Sequence, residues 1–290
     1  ALGGFGMTAI TALTAQNTRG VFGILDVPPA FVAQQMRVVL GDIGADCIKI
    51  GMLHRPDIVE VVVAMLAEMA PDVPVVVDPV MVAKGGQSLL ADAAVTSLRR
   101  LLLPLAAVLT PNLPEAAALL GEPTPLTSAA AAPDAVAIQA AAPQGADMPD
   151  YSASDSVAPE HLAARLLALG PRAVLLKGGH GAGPVLIDVL AEQGRPPERF
   201  ASARIDTRHT HGTGCTLASA VACGLAQGLT LRDAVVRARA YVRAAIEAAP
   251  GYGEGHGPLG HGHTVRPFQP NPERSDTGRA AGIVDPPAPD

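Results

Sequence analysis

The chain has 290 residues, of which 49% are hydrophobic and 17% are charged, and its formal net charge is −6 at pH 7. This composition is typical of a soluble globular protein with a sizeable core. An acidic chain with no block of lysines or arginines, and with no apolar run of membrane-spanning length, is expected to bind neither nucleic acid nor a membrane.

In chain order, short β-branched runs alternate with longer runs that carry apolar residues at helical spacing. The first half predicts four buried strands, at residues 8–15, 47–51, 73–77 and 107–110, and four helices, at residues 31–40, 55–69, 91–103 and 113–120. The second half predicts helices at residues 159–169, 215–228 and 231–249, and strands at residues 173–176, 185–190 and 199–205. Strands separated by helices make parallel βαβ units, so the pattern predicts an α/β fold.

Two segments lack this pattern. Residues 121–157 are rich in alanine, proline and serine, and we expect a mobile surface insertion that adds nothing to the core. Residues 264–290 are rich in proline, aspartate and arginine, which predicts a disordered tail. The remainder of residues 1–263 has the length of one α/β domain.

The three cysteines bear on the compartment in which the protein works. Their number is odd, their spacing matches neither a metal site nor a disulfide framework, and no signal peptide is visible. These features favour the reducing cytoplasm. Cys47 and Cys223 fall on apolar faces of a predicted strand and a predicted helix, so we expect both in the core.

The motif THGTGCT at residues 210–216 comes directly before an apolar helical run. Gly212 and Gly214 allow successive backbone N–H groups to point at one spot, and a helix start adds about half a positive charge. The motif therefore predicts a phosphate site, and the same field should favour the Cys215 thiolate and lower its pKa. The alternative is a tight turn that only caps a buried helix, because short glycine motifs are weak signals.

Polar residues follow several of the predicted strands, where ligands collect in open parallel sheets. Each has a local explanation: Asn112 as a helix cap, Glu115 as its capping-box partner, Asp78 as a turn residue and Lys177 as a solvated charge. Together they also suit phosphoryl transfer from a magnesium-bound nucleotide, with Glu115 near Asn112 as the magnesium anchor and Lys177 balancing phosphate charge. There is no Walker A loop, and no Gly-x-Gly-x-x-Gly follows the first strand, so the sequence supports neither a P-loop enzyme nor a Rossmann dehydrogenase.

Six motifs in order carry a resemblance to a known family. They are ITALTAQNTRGV (10–21), KIGML (49–53), DPVMVAK (78–84), TPNLPEA (110–116), LKGGH (176–180) and THGTGCT (210–216), and GHGP (255–258) matches a C-terminal signature. On these residues the chain resembles the ribokinase-like hydroxymethylpyrimidine/phosphomethylpyrimidine kinases of thiamine biosynthesis. The resemblance implies a mostly parallel central sheet flanked by helices on both faces.

The resemblance also implies an activity. ATP, with Mg²⁺, would phosphorylate the hydroxymethyl group of 4-amino-5-hydroxymethyl-2-methylpyrimidine and then its monophosphate, yielding the diphosphate, in a cytoplasmic homodimer. Gln16 would bind the pyrimidine, because its amide can both donate and accept hydrogen bonds. Met52 would pack on the ring and Gly51 would leave room for it. Thr14 would stand beside the ring, where the family pattern has an apolar residue.

The phosphate side of the site follows from the same resemblance. Gly212, Thr213, Gly214 and Cys215 would form the anion hole for the transferred phosphoryl group. Lys177 would balance its charge, Asn112 and Thr210 would lie on the nucleotide side, and Glu115 would orient the magnesium. Sugar kinases of the superfamily place an aspartate base at the position of Cys215, so this thiol would accept the hydroxyl proton or act through electrostatics.

The chain also departs from the family pattern. In family members, a first strand and a glycine-rich loop with an aspartate precede the region that begins here at Ala1, and this sequence has neither. We therefore expect a truncated kinase domain with an incomplete substrate site. Two other functions stay open. One is a pyridoxal-type kinase, and the other is a non-catalytic remnant that binds nucleotide.

Overall fold

The computed structural model describes residues 1–81, 92–122, 158–180 and 183–265. Its main body is a six-stranded sheet in which neighbouring strands follow one another in chain order. The strands are β3 (Ile48–Ile50), β4 (Val75–Val77), β5 (Val108–Leu109), β6 (Ala173–Leu176), β7 (Val185–Glu192) and β8 (Glu198–Ala203). The pairs from β3 to β6 are parallel, whereas β7 pairs antiparallel with both β6 and β8. The mostly parallel α/β sheet is confirmed.

Helices cover the two faces of this sheet. They are α1 (Pro29–Asp42), α2 (Pro56–Met69), α3 (Asp92–Ser97), α4 (Leu113–Leu120), α5 (Pro159–Leu167), α6 (Thr213–Ala226) and α7 (Leu231–Glu247). Side chains alternate along each strand, so Val75 and Val77 join the cluster that includes α1, α2 and α5. Val76 joins the cluster that includes α6 and α7. This alternation confirms helices on both faces.

The predicted buried strand at residues 8–15 is wrong in its place and its burial. The structure has β1 (Ala12–Gln16) paired antiparallel with β2 (Val21–Asp26), in a separate two-stranded sheet. The apolar side chains of Leu13, Phe22 and Leu25 on this hairpin are exposed. Periodicity indicates an extended strand, but it does not show which strand pairs with it or whether another layer covers it. The sequence therefore predicted neither the hairpin partner nor the exposure of this strand.

The predicted helix at residues 91–103 is also corrected. Residue 91 lies outside the described ranges, and α3 gives way to a π turn at Leu98–Leu102 and a 3₁₀ turn at Leu103–Leu105. The backbone N–H of Leu103 donates to the carbonyl of Leu98, and Pro104 has no N–H to donate. The chain therefore leaves α geometry before β5.

Other element bounds lie within a few residues of the predicted ones, and α4 and β6 match them. The predicted insertion lies outside the described residues beyond Glu122, as does the predicted tail beyond Val265. Gly121 ends α4 in the left-handed region, with φ 73°. Among the described helices, none combines the length and the apolar character that a membrane crossing requires.

Cys47 and Cys223 are partly buried instead of fully buried, and both are free. Cys47 directly precedes β3 and packs against the cluster under α6 and α7, where burial raises its pKa to about 11. Cys223 lies on α6 with its Sγ 3.8 Å from the carbonyl oxygen of Leu2. Cys47 therefore packs against the core as predicted, although it lies just outside the strand. Neither cysteine is fully buried.

Candidate active site

A buried aspartate forms the centre of the site. Asp78 directly follows β4 and is 1% exposed. Its Oδ1 lies 2.9 Å from the Nζ of Lys177 and accepts a hydrogen bond of 3.3 Å from the hydroxyl of Thr110. The Nζ of Lys49, on β3, lies 3.7 Å from its Oδ2. Four neighbouring strands, β3 to β6, therefore contribute to one charged cluster, because parallel strands end at the same edge of the sheet.

Lys177 is the cation at the middle of this cluster. It directly follows β6, and its backbone N–H donates to the carbonyl of Pro111 at 2.8 Å. Its Nζ also lies 3.7 Å from the Oε2 of Glu115. Burial alone would lower the pKa of Lys177, but the charges of Asp78 and Glu115 outweigh it and the pKa is raised. The amine therefore stays positively charged at neutral pH.

Asn112 and Glu115 form the capping box at the start of α4. The Oδ1 of Asn112 accepts from the backbone N–H of Glu115, and the Oε2 of Glu115 accepts from that of Asn112, both at 2.8 Å. The local explanation from sequence is thus confirmed for both residues. Burial raises the pKa of Glu115, against the opposing charge of Lys177. The oxygen of Glu115 that accepts from Asn112 is also the one that lies near Lys177. The capping box therefore holds this carboxylate in the charged cluster.

The glycine motif lies against this cluster. Gly212 is the residue before α6 and has φ 84°, a left-handed conformation that favours glycine. A Cβ atom on Gly214 would lie 3.0 Å from the Nζ of Lys177 and 4.0 Å from the Oδ2 of Asp78. The first-turn N–H groups of a helix have no partner within the helix. The structure therefore brings a helix N-terminus and the charge of Lys177 to one place, as an anion site requires.

Thr210 and Thr213 hold the entry to this helix. The carbonyl of Thr210 accepts from the backbone N–H of Thr213 at 3.3 Å and from its hydroxyl at 3.2 Å. The loop is thereby tied back on itself ahead of Gly214. Thr210 thus shapes, through its backbone carbonyl, the loop that leads into α6, which we call the anion loop (residues 210–214).

The expectation of a lowered pKa for Cys215 is wrong. Cys215 is an exposed residue, and it lines a recess together with Ser219 and Tyr241. Burial there raises its pKa, and Asp78 raises it further, while Lys49 and Lys177 act in the opposite direction. Desolvation and the nearby carboxylate outweigh the two lysines. The thiol is therefore protonated at neutral pH.

The residues predicted to bind the pyrimidine fall into two groups. Gly51 lies next to the charged cluster, because a Cβ there would be 2.8 Å from the Nζ of Lys49. Met52 follows it, and its carbonyl accepts from the hydroxyl of Thr11 at 2.8 Å. Thr14 and Gln16 lie exposed on the hairpin, where the threonine hydroxyl is 3.4 Å from the Oε1 of Gln16. Gly51 and Met52 follow β3 of the central sheet, whereas Thr14 and Gln16 belong to the separate hairpin sheet.

Sequence reasoning gave no role to Lys49 or Thr110 and treated Asp78 as a turn residue. All three were within the quoted motifs. A lysine between two isoleucines of a short strand and an aspartate after three valines were usable signals, because charges seldom occupy such positions unpaired. Residues 82–84, which end the motif that begins at Asp78, lie outside the described ranges.

The donors present fit a magnesium ion, which prefers oxygen ligands and keeps several waters. The Oδ2 of Asp78 is buried and accepts no hydrogen bond in the part of the chain that the structure describes. Glu115 supplies a second carboxylate beside Lys177. Within the described ranges, no group of three or more histidine, cysteine or acidic side chains could hold a metal alone. Two carboxylates suit an ion that phosphate oxygens and water also coordinate.

Solved structures share this architecture. The phosphomethylpyrimidine kinase of Clostridium difficile 630 is 33% identical, with a TM-score of 0.62 over 84% of this chain and 88% of that one. The ADP complex of Bacillus subtilis pyridoxal kinase is 30% identical, with a TM-score of 0.71 over 89% and 86% of the two chains. The fold is that of a ribokinase-like kinase.

Sequence comparisons narrow the class. A family model described as phosphomethylpyrimidine kinase matches residues 1–148 and 132–260. The hydroxymethylpyrimidine/phosphomethylpyrimidine kinase of Streptomyces coelicolor is 44% identical over 262 residues, which are 90% of this chain and 85% of that protein. The thiamine biosynthesis bifunctional protein ThiED of Geobacter sulfurreducens is 45% identical over 260 residues, and this chain spans about half of its length (47%). The chain belongs to the hydroxymethylpyrimidine/phosphomethylpyrimidine kinase family.

Proposed function

We propose that the chain transfers phosphate from ATP to 4-amino-5-hydroxymethyl-2-methylpyrimidine and then to its monophosphate, as part of thiamine diphosphate biosynthesis. The observation that carries the proposal is the contact of Lys177, held by Asp78 and Glu115, with the glycine-rich start of α6. Such an arrangement supplies positioning and charge neutralisation, which are the main needs of phosphoryl transfer.

In this proposal residues Gly212 to Cys215 surround the transferred phosphoryl group, which the backbone N–H groups of Gly212, Gly214 and Cys215 bind. The N–H of Thr213 donates to the carbonyl of Thr210 and holds the loop in shape. Lys177 balances the negative charge that spreads over its oxygens, since its own charge is fixed by two carboxylates. Asn112 and Thr210 lie on the nucleotide side of the site. Glu115 and Asp78 would hold magnesium, which neutralises phosphate charge when bound.

Cys215 is the candidate for the group closest to the reacting hydroxyl. Its thiol is protonated at neutral pH in this structure, which favours an electrostatic and positioning role over that of a preformed base. A loose phosphoryl-transfer transition state needs little help from a base. Base catalysis by the thiolate stays as the alternative, and its pH dependence separates the two roles.

The pyrimidine would lie between the hairpin and the end of β3. Gln16 would bind the ring nitrogen and amino group, Met52 would pack on the ring, and Thr14 would stand beside it. Gly51 leaves room there, because a Cβ atom at this position would lie 2.8 Å from the Nζ of Lys49, which in turn faces Asp78. The ring would thereby come close to the charged cluster.

A second candidate activity is phosphorylation of pyridoxal or pyridoxine. The observation that favours it is the similarity to the Bacillus subtilis pyridoxal kinase, whose TM-score of 0.71 exceeds the 0.62 of the phosphomethylpyrimidine kinase structure. Both rings carry a hydroxymethyl group as phosphoryl acceptor, so the phosphate side of the site serves either one. A non-catalytic role in nucleotide binding is the third alternative.

The deciding experiment is ADP release by the purified chain with Mg·ATP, in parallel assays with hydroxymethylpyrimidine, pyridoxal and pyridoxine. We expect turnover of hydroxymethylpyrimidine, followed by a second phosphorylation of the monophosphate. Preference for pyridoxal would establish the second candidate. ATP binding by calorimetry without turnover of any of the three rings would favour the nucleotide-binding remnant.

We also propose that the chain acts as a homodimer in the cytoplasm. Support for the dimer comes from the hairpin, where Leu13, Phe22 and Leu25 are 53%, 71% and 65% exposed. Unpartnered apolar residues on a strand face favour pairing with another copy. Three free cysteines agree with a reducing compartment. Sedimentation of the wild type and of Phe22→Glu tests the dimer, which the charge should dissociate.

A further inference from the structure

A glycine-rich segment at residues 252–258 lies between the hairpin turn and the anion loop, and we call it the glycine strap. Its backbone is hydrogen-bonded to the turn that joins β1 to β2. The N–H of His256 donates to the carbonyl of Thr18 at 2.7 Å, and the N–H of Gly255 donates to the hydroxyl of Thr18 at 3.3 Å. Arg19 in the same turn forms an ion pair with Glu254 of the strap.

The other side of the strap is bonded to the loop that leads into α6. The N–H of His211 donates to the carbonyl of Gly257 at 3.1 Å, and His211 pairs with Pro258 in a parallel bridge. The guanidinium of Arg208 reaches two further strap carbonyls, those of Gly253 and Glu254. Backbone bonds therefore connect the strap to both elements.

The strap approaches the turn too closely for a side chain. A Cβ atom on Gly255 would lie 2.1 Å from the carbonyl oxygen of Thr18 and 2.9 Å from the Cα of Arg19. Backbone would have to move to admit it, because neither atom is the far end of a flexible side chain. By contrast, a Cβ on Gly262, a little further along, would meet nothing within 4 Å.

We propose that the glycine strap is a positioning element that sets the distance between the pyrimidine contact and the phosphate site. Thr18 is two residues from Gln16, and His211 is adjacent to Gly212, so the strap joins the two ends of the reaction. The inference rests on the proposed function, in which Gln16 holds the acceptor ring and the loop holds the phosphoryl group. Misplacement by about 1 Å can cost on the order of 10²-fold in rate.

Thr18→Val tests the link, with Thr18→Ser as the matched control that keeps the hydroxyl. We expect kcat/KM for hydroxymethylpyrimidine to fall about tenfold or more in Thr18→Val and in Gly255→Ala, and to stay near wild type in Thr18→Ser and Gly262→Ala. The KM for ATP should change little. In a Gln16→Ala background the added effect of Thr18→Val should vanish, because there is no ring contact left to misplace.

A second measurement keeps the strap and the proposed function separate. Hydrogen exchange of the hairpin amides, residues 12–26, should be faster in Thr18→Val than in the wild type and unchanged in Thr18→Ser. A wild type that turns over no pyrimidine would sink the proposed function, and the exchange rates would still decide whether the strap holds the hairpin. Unchanged exchange in Thr18→Val, or effects that simply add to those of Gln16→Ala, would overturn the strap proposal.

Discussion

The Nζ of Lys177 lies 2.9 Å from the Oδ1 of Asp78, although the two residues are 99 positions apart in the chain. They meet because β4 and β6 are parallel strands of one sheet with β5 between them, and each residue directly follows its strand. The same lysine faces Glu115 and the first turn of α6. One partly buried cation thus connects both carboxylates to the start of α6.

Replacement of Lys177 by methionine should reduce kcat by about 10²-fold or more, because a positioned positive charge at the phosphoryl group is lost. It should also destabilise the fold, since Asp78 and Glu115 would be left buried without their cation. Steady-state kinetics and urea unfolding measure the two effects. Arg195→Ala, which removes an exposed ion pair with Glu192, is the control and should change neither. Normal turnover by Lys177→Met would contradict the proposed phosphate site.

Glu115 allows the magnesium role to be separated from the capping role. Glu115→Gln keeps an oxygen that can accept from the N–H of Asn112, so we expect a small change in the unfolding free energy, below about 1 kcal/mol. The loss of the carboxylate charge should raise the Mg²⁺ concentration needed for half-maximal activity. Glu115→Ala should lose the capping contact as well. An unchanged magnesium requirement in Glu115→Gln would remove this residue from the metal site.

Cys215→Ala should leave nucleotide binding nearly intact and reduce turnover by about 10²-fold or more if the thiol is a general base. Because the pKa of Cys215 is raised, the thiolate forms only as the pH becomes alkaline. A base role therefore predicts that wild-type kcat rises through the alkaline range and that this rise is absent in Cys215→Ala. Equal turnover in the two proteins would rule out the base and leave an electrostatic role for the loop.

Asp188 is expected to stabilise the segment that follows Lys177. Its Oδ1 accepts from the N–H of Gly178 at 2.9 Å, and its Oδ2 lies 2.8 Å from the Nε of Arg239, whose side chain is 16% exposed. Asp188→Ala should lower the free energy of unfolding by about 2 kcal/mol or more, because it leaves a mostly buried guanidinium with only neutral partners at Phe200 and Ser202.

The control for this loss is another arginine of α7. Arg232 is 57% exposed and pairs with Glu198, so Arg232→Ala should cost less than about 1 kcal/mol. Urea denaturation measures both variants. Similar losses of unfolding free energy in Asp188→Ala and Arg232→Ala would show that the Asp188–Arg239 pair stabilises the fold no more than an exposed ion pair does.

Much of the fold was accessible from sequence because helix and strand periodicity is local. The ranges of α4 and β6 were predicted to the residue, and Lys177 and Glu115 were identified by their places after a strand and at a helix start. The hairpin was not accessible in the same way. Its apolar alternation resembles that of a buried strand, and only packing decides which strands another layer covers.

The sequence by itself determined the order of the strands and helices that follow the hairpin, the family motifs and the positions of Cys215, Lys177, Asn112 and Glu115. Only the tertiary structure decided that Lys49, Thr110 and Asp78 join Lys177 and that the capped Glu115 lies beside the same lysine. It also reversed the expected direction of the Cys215 pKa. Periodicity depends on neighbours along the chain, whereas burial and charge depend on groups that distant strands bring together, so a protonation state follows from the folded structure.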